Sequence, residues 1–181
     1  SGVLAVVFIQ CVSTVYKTRK YLRRFKLGRM PYVYLFLVAL FTAVVTAPWF
    51  GNNAFGLSTN KTLELLFRNE SIESSFSKPY LASLFILFVA RYTITALSIS
   101  LPVPAGLFAT NMVIGSIFGR LCGEILEVMG ISNELGPNGL AIVGGACFVG
   151  ATTQTFSAAI VMIELVDNIQ LIVPILISTV I

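Results

Sequence analysis

Long apolar runs, separated by short polar or Gly/Pro-rich segments, set the pattern of the chain. Six such runs cover residues 1–16, 30–50, 79–103, 105–129, 139–166 and 169–181. A helix needs about 20 apolar residues to cross a bilayer, so the second and third runs, and at most also the fourth, are interpreted as plain spans. The fifth is interrupted by the segment GGACFVGATTQTFS. The pattern predicts an all-α membrane protein, a multi-span bundle with broken and re-entrant helices, because irregular backbone is tolerated beside a cavity or inside protein.

Composition agrees with this class and excludes several others. Of the 181 residues, 56% are hydrophobic and 11% are charged, against about a quarter charged in a soluble domain. The absence of His removes the Ser-His and Cys-His nucleophile systems, and no CxxC pair is present to suggest zinc. We therefore expect no enzyme activity, no metal or organic cofactor and no nucleic-acid partner. The three cysteines, Cys11, Cys122 and Cys147, are expected to be small buried hydrophobes.

The distribution of charge predicts sidedness. Seven of the twelve basic residues lie within residues 17–29, which hold no acidic residue. The positive-inside rule makes this segment a cytoplasmic basic loop, and such a patch can also bind an anionic lipid surface. The span over 30–50 then leads outward, and residues 51–78 form an extracellular or lumenal loop. This loop holds both N-x-S/T sequons, at Asn60 and Asn69, which are the glycosylation candidates.

A short interfacial helix is predicted inside that outer loop. The segment TNKTLELLFR, residues 59–68, begins with residues that favour a helix N-terminus. Its apolar side chains recur at helical spacing, which places Leu63, Leu66 and Phe67 on one face.

The segment LPVPAGLF, residues 101–108, is predicted to break a helix between two apolar runs. Pro102, Pro104 and Gly106 halt an incoming helix, and an apolar helix then runs from about Phe108. Such a break places a helix N-terminus inside the membrane, where its unpaired amides can bind an anion without a charged side chain. The backbone N–H groups of Leu107 and Phe108 are the candidates, with a halide or nitrate as ligand. The alternative is that the two prolines only end one span and start the next.

Glycines recur every four residues after this break, at Gly115, Gly119 and Gly123. This small-xxx-small stripe lets two helices approach closely, so we interpret it as helix packing and not as chemistry.

Charged residues within the apolar runs need a partner or water, because a charge in lipid is costly. Arg91, Glu124, Glu164 and Asp167 are of this kind. One hypothesis gives these residues a function: Arg91 would attract anions, or Glu164 would transfer protons. We favour the alternative hypothesis, that they form structural ion pairs or lie at helix ends. Arg120 stands four residues before Glu124, so these two can pair on one helical face.

Several blocks, in order, resemble the CLC family of chloride channels and chloride/proton exchangers. VPAGLFATNMVIGSIFGRLCGE resembles the family's Gly-x-Phe-x-Pro region, and FILFVARYTITALSISLPVP resembles the helix that leads into the anion-binding turn. GLAIVGGACFVGATTQTFSAAIVMIEL and DNIQLIVPILIS resemble the helices that follow. These blocks cover residues 79–181, and the first 78 residues fit more loosely, through the order of span, basic loop, span and outer loop.

The resemblance implies that the chain is the second inverted repeat of a CLC subunit. Chloride is then the transported ligand, bound by the amides of Leu107 and Phe108, with Gly106 granting close approach. The resemblance further implies a voltage-gated channel that is a homodimer in the lipid bilayer, with an interface near residues 157–181, and favours the plasma membrane over endosomes. Thr110 stands where the family motif has Pro, and Thr keeps its N–H donor and can cap a helix.

Two alternatives stay open. One is a chloride/proton antiporter of the same family, since the gating and proton-accepting Glu residues of the family would precede Ser1. The other is a truncated, non-conducting membrane subunit that associates with a full-length one. Both termini lie inside apolar runs, so we expect an internal piece of a longer protein or a shortened product.

Overall fold

The computed structural model describes residues 2–24, 31–46, 58–67, 80–101, 106–130, 135–155, 157–166 and 171–180. Within these ranges the secondary structure is helical, without a strand. The helices are α1 (Gly2–Arg24), α2 (Pro31–Thr46), α3 (Thr59–Phe67), α4 (Tyr80–Ile99), α5 (Leu107–Val128), α6 (Gly136–Thr153), α7 (Ser157–Val166) and α8 (Ile172–Val180). The predicted all-α fold class is confirmed, and so is the short helix predicted within the outer loop.

Helix α1 runs further than the apolar pattern predicts. It continues to Arg24, so the first eight residues of the basic segment 17–29 are helical and do not form a loop. Lys and Arg favour a helix about as well as Leu, and no Gly or Pro lies between Gly2 and Gly28. Residues 25–30 lie outside the described part of the chain.

The break between α4 and α5 falls where the prolines predict it. After α4 the chain turns at Ser100, whose hydroxyl donates to the carbonyl oxygen of Leu97 at 2.7 Å. Helix α5 then begins at Leu107 and ends at Val128. At its far end Gly130 has a φ of 77°, a left-handed conformation that terminates helices and that glycine adopts without strain.

The fifth apolar run divides into two helices, as its Gly/Thr-rich interruption predicts. Helix α6 ends at Thr153, and its C-cap residue Gln154 is left-handed with a φ of 52°. The next helix, α7, starts at Ser157. The polar residues of this segment therefore lie at the C-terminal end of α6.

Helices α5 and α6 form a close antiparallel pair. Residues of α5 meet residues of α6 in opposite order along the chain, Gly115 against Gly144 and Gly119 against Leu140. A Cβ atom added to Gly115 would lie 2.5 Å from the carbonyl oxygen of Gly144, and one added to Gly119 would overlap the carbonyl oxygen of Leu140. The two backbones therefore touch, which only glycine permits.

Helix α5 is also the centre of the apolar core. Its buried side chains join three clusters, which connect it to α3 and α4, to α1, α4 and α6, and to α6, α7 and α8. The α5 members of these clusters are Met112, Val113, Ile114 and Ile117.

One helix within the described ranges is long and apolar enough to cross a membrane, the Leu81–Ile99 part of α4. The described part of α2 has 16 residues, about 24 Å at 1.5 Å per residue, which is shorter than a hydrocarbon core of about 30 Å. Helices α1, α2 and α4 expose large apolar side chains, among them Val3, Phe36, Leu37, Val44 and Phe85. Contiguous exposed apolar surface is typical of a face covered by lipid or by further protein.

The expectation for the cysteines is wrong for one of the three. Cys11 is exposed on α1, whereas Cys122 and Cys147 are half-buried. The thiol of Cys147 donates to the carbonyl oxygen of Ser178 at 2.7 Å. An apolar run does not indicate which face of its helix is covered within the same chain, and Cys11 lies on the uncovered face of α1.

Candidate anion-binding site

The N-terminus of α5 begins without a side-chain cap. Gly106 is the N-cap residue, with an extended backbone (φ −74°, ψ 114°), and no side chain of the described residues caps this end through a hydrogen bond. Helical geometry leaves the N–H groups of the first turn without an intrahelical acceptor. Those of Leu107, Phe108 and Ala109 therefore carry the positive end of the helix dipole.

Neither the backbone conformation at position 106 nor contacts with the described residues require a glycine there. Its φ is negative, and a Cβ atom added to it would meet nothing within 4 Å. Leu107 is likewise open, with 43% of its surface exposed. The tip of the helix thus faces space that the described residues of this chain do not fill.

Phe108 anchors this turn from the other side. Its side chain packs against the buried cluster that joins α5 to α6, α7 and α8. The turn therefore has an anchored side and an open side, so its amides can meet a ligand from the open side while the packed ring fixes the helix.

Thr110 lies inside the helix and does not cap it. Its hydroxyl donates back to the carbonyl oxygens of Gly106 and Leu107, at 3.2 Å and 3.1 Å. This backward bond to the preceding turn is common for Thr within helices. The capping role that the sequence suggested is therefore not the one observed.

Asn111, the next residue, was not singled out by the sequence. It is 2% exposed, and its side-chain amide nitrogen donates to Thr152 Oγ1 on α6 at 3.2 Å. The only signal in the sequence was a lone amide within the apolar run FATNMVIG, and polar residues inside membrane helices are often functional.

The charged residues of α5 lie far from this turn. Arg120 is 4% exposed and pairs with Glu124 at 3.2 Å, as the four-residue spacing predicts. It also donates to the carbonyl oxygen of Leu66 at 3.0 Å and to Asn138 Oδ1. Arg120 stands thirteen residues after Leu107 in the same helix, about 20 Å along the axis.

The other intramembrane charges are also outside the first turn of α5. Arg91 on α4 is half-buried, with Nη2 3.5 Å from Thr62 Oγ1 of α3. Glu164 on α7 is exposed, and Asp167 lies outside the described residues. The segment Leu107–Gly119 itself contains no ionisable side chain, so this part of α5 contributes backbone dipoles and no full charge at its N-terminus.

The remaining candidate residues are dispersed. Asn60 is exposed in the first turn of α3, and Asn69 lies outside the described residues. In the described part of the chain no group of three or more His, Cys, Asp and Glu side chains is placed to hold a metal ion.

Comparison with known proteins identifies the family. A family model described as "Voltage gated chloride channel" matches residues 1–181. The chain belongs to the CLC family. Among similar CLC proteins, Chloride channel protein 2 of Oryctolagus cuniculus is 32% identical over 206 residues, which cover 99% of this chain and 23% of that protein. Chloride channel protein ClC-Ka of Homo sapiens is 29% identical over 213 residues, which cover 98% of this chain and 31% of that protein.

A solved CLC structure has the same fold. The crystal structure of a eukaryotic CLC transporter matches with a TM-score of 0.79 and 32% identity, covering 99% of this chain and 29% of that one. The chain thus spans less than a third of the CLC proteins that it matches here. Its eight described helices correspond to part of a CLC membrane protein.

Proposed function

We propose that this chain forms one side of a chloride pathway across a membrane, in which the backbone N–H groups of Leu107 and Phe108 coordinate the ion. The observation that carries the proposal is the uncapped N-terminus of α5, which follows a helix break and is exposed at Gly106 and Leu107. Membership of the CLC family supports chloride as the anion.

The chemistry of the turn suits an ion that must leave again. Partial charges on backbone amides attract an anion at a helix N-terminus, but they hold it less strongly than a full charge. Conduction requires binding that is strong enough for entry and weak enough for exit. The absence of an ionisable side chain from Leu107 to Gly119 meets this requirement.

The pathway needs a second half. The open side of the α5 N-terminus is not covered by the described residues, and the chain spans less than a third of its matched relatives. We assign the chain to the second inverted repeat of a CLC subunit, with the first repeat covering the open side. The central site then lies between the two repeats, as in other transporters built from repeats.

A homodimer and a plasma-membrane location belong to the same proposal. Helices α7 and α8 expose apolar side chains that lipid or a second copy can cover, namely Ile160, Val161, Val173 and Ile177. These residues fall within the predicted interface over residues 157–181.

The test is the reversal potential of the full-length parent in a planar bilayer, first under a chloride gradient and then with an added pH gradient. For a passive, voltage-gated channel we expect a reversal potential that follows chloride alone. A reversal potential that also moves with pH replaces the channel by a chloride/proton antiporter. Absence of chloride-dependent current from folded protein contradicts the proposal and favours the non-conducting subunit.

Sidedness has its own test. If residues 51–78 face the outside, both sequons lie on the side of the glycosylation machinery, and Asn60 is exposed. We expect Asn69→Gln to remove a glycosidase-sensitive gel shift in a cell that glycosylates secreted proteins, with Asn60→Gln as the matched variant. A protein without glycan at either position contradicts the proposed sidedness.

A further inference from the structure

Asn111 makes a directed hydrogen-bond chain between α5 and α6. Its amide nitrogen donates to Thr152 Oγ1 at 3.2 Å. The Thr152 hydroxyl in turn donates to the backbone of α6, where the carbonyl oxygen of Phe148 lies at 2.8 Å. The chain therefore runs from the second turn of α5 to the last turns of α6, across 41 residues of sequence.

This link lies directly behind the proposed anion site. Asn111 follows Phe108 by three residues, so the two side chains leave the helix on neighbouring faces. Phe108 holds the turn through apolar contacts, which resist separation but are not directional. The hydrogen bond to Thr152 adds a directional restraint on the rotation and the axial position of α5.

Packing alone does not account for an Asn at this position. Its Oδ1 atom is buried and has no hydrogen-bond partner among the described residues, and an unpaired buried acceptor is costly. An apolar side chain of similar volume, such as Leu, would fill the space without that cost. A local conflict of this kind is expected where function constrains the residue.

We propose that Asn111 is a positioning residue of the anion site, which sets the placement of the Leu107 and Phe108 amides through Thr152 and thereby the selectivity among anions. This inference rests on the proposed chloride pathway. Chloride is spherical and nitrate is planar and larger, so a small displacement of the two amides changes the affinity for one relative to the other. Selectivity is accordingly the property that the link controls.

The experiment measures the nitrate-to-chloride permeability ratio of the full-length parent from bi-ionic reversal potentials, which do not depend on the amount of protein. Asn111→Leu removes the donor, and Thr152→Val removes the acceptor while keeping the shape. We expect each to change the ratio by about two- to threefold in the same direction. The double variant should change it no more than the larger single variant, because residues that act through one bond are not additive.

Two further variants separate positioning from structure. Thr152→Ser keeps the hydroxyl and should retain the wild-type ratio. Ser116→Ala is the matched control, since Ser116 is also buried between α5 and α6 and its hydroxyl has no partner among the described residues; its ratio should be unchanged. The pair Thr152→Val and Thr152→Ser keeps the test decisive if Asn111→Leu fails to fold.

Three results overturn the inference alone, in a protein whose wild type carries chloride current. The first is an unchanged nitrate-to-chloride permeability ratio in folded Asn111→Leu and Thr152→Val. The second is a change in Ser116→Ala as large as the change in these variants. The third is a double variant whose change equals the sum of the two single changes. A wild type without chloride current instead overturns the proposed function, and the positioning role with it.

Discussion

The C-terminal half of α5 carries a buried arginine, Arg120, whose guanidinium group donates to three acceptors. The N-terminal turn of the same helix presents backbone N–H groups and no charged side chain. Arg120 contacts Glu124, Asn138 and the carbonyl oxygen of Leu66. The N-terminal turn is held by the ring of Phe108 and the amide of Asn111 and is open at Leu107. In the same helix, Arg120 holds neighbouring helices together, and the uncharged N-terminal turn is the proposed anion site.

In the proposed chloride pathway, this difference keeps the fixed charge away from the anion. A permanent cation beside the α5 N-terminus would hold chloride more strongly than backbone amides do and would slow its release. Placed about 20 Å away along the helix, Arg120 ties α3 and α6 to α5 without adding charge to the first turn. The glycine contacts with α6 lie between the two ends, at Gly115 and Gly119, and keep the helix in a fixed position.

The largest effect is expected from removing the buried charge. Arg120→Met leaves Glu124, Asn138 Oδ1 and the Leu66 carbonyl oxygen without their shared donor, and breaking a buried ion pair costs about 3–5 kcal/mol. We expect the thermal midpoint of the detergent-solubilised full-length protein to fall sharply, as measured by fluorescence-detected gel filtration. Anion selectivity of any surviving channels should be unchanged.

The matched control for Arg120 is an exposed charge on the same helix. Glu127 is exposed one turn from the ion pair, so Glu127→Gln should alter stability by less than about 0.5 kcal/mol. Equal losses in the two variants would mean that Arg120 does not hold the helices together.

The next largest effect concerns the open end. Leu107→Asp places a negative charge beside the two proposed amides, where repulsion at roughly 5 Å costs about 3 kcal/mol at an effective dielectric constant of about 20, or about two orders of magnitude in chloride occupancy. Folding should be unharmed, because an acidic residue in the first turn stabilises a helix. Chloride current per channel should therefore collapse while the thermal midpoint stays or rises.

Leu107→Asn is the neutral counterpart of this variant, with nearly the same shape. It should keep most of the chloride current, since the backbone amides remain. A normal current in Leu107→Asp would show that the ion does not pass the N-terminus of α5.

A moderate effect is expected where α5 and α6 touch. Gly119→Ala drives a methyl group against the carbonyl oxygen of Leu140, and overpacking of this kind costs about 1–3 kcal/mol. Gly150→Ala is the matched control, because the added Cβ atom would lie 3.3 Å from the methyl group of Thr179 and not against a carbonyl oxygen. The thermal midpoint should drop in the first variant and stay or rise in the second, and the reverse order would contradict the close helix pair.

The smallest effect is expected at the residue that departs from the family motif. Thr110→Pro removes the hydroxyl bonds to Gly106 and Leu107 and the N–H of the fourth helical residue, which is the first N–H that can bond within α5. The loss is confined to that one backbone bond at the helix end, so stability should fall by about 1 kcal/mol, which is less than the roughly 3 kcal/mol of a Pro in a helix interior. Chloride current should be retained or raised. A folded Thr110→Pro protein without conduction would argue against the placement of the turn.

Local features were predictable from the sequence because neighbouring residues determine them. Pro102, Pro104 and Gly106 predicted the break before α5, and the spacing of Arg120 and Glu124 predicted their ion pair, which the structure confirms. The Gly/Thr-rich interruption likewise predicted the division between α6 and α7.

Features set by tertiary packing were not predictable. The contacts of Arg120 with Leu66 and of Asn111 with Thr152 join residues 54 and 41 positions apart, and no local pattern contains that information. Nor does an apolar run tell which face its own chain covers, which is why the expectation for Cys11 was wrong. The basic segment was mistaken for a loop at its start because charge predicts sidedness and not backbone conformation.

The most direct test of the central claim locates the anion itself. We would collect anomalous diffraction from crystals of the full-length parent grown in bromide, which replaces chloride and scatters anomalously. The account predicts a bromide peak within hydrogen-bonding distance of the Leu107 and Phe108 nitrogen atoms, which weakens in Leu107→Asp. Ordered density at the α5 N-terminus without a bromide peak, with bromide bound elsewhere along the pathway, would contradict it.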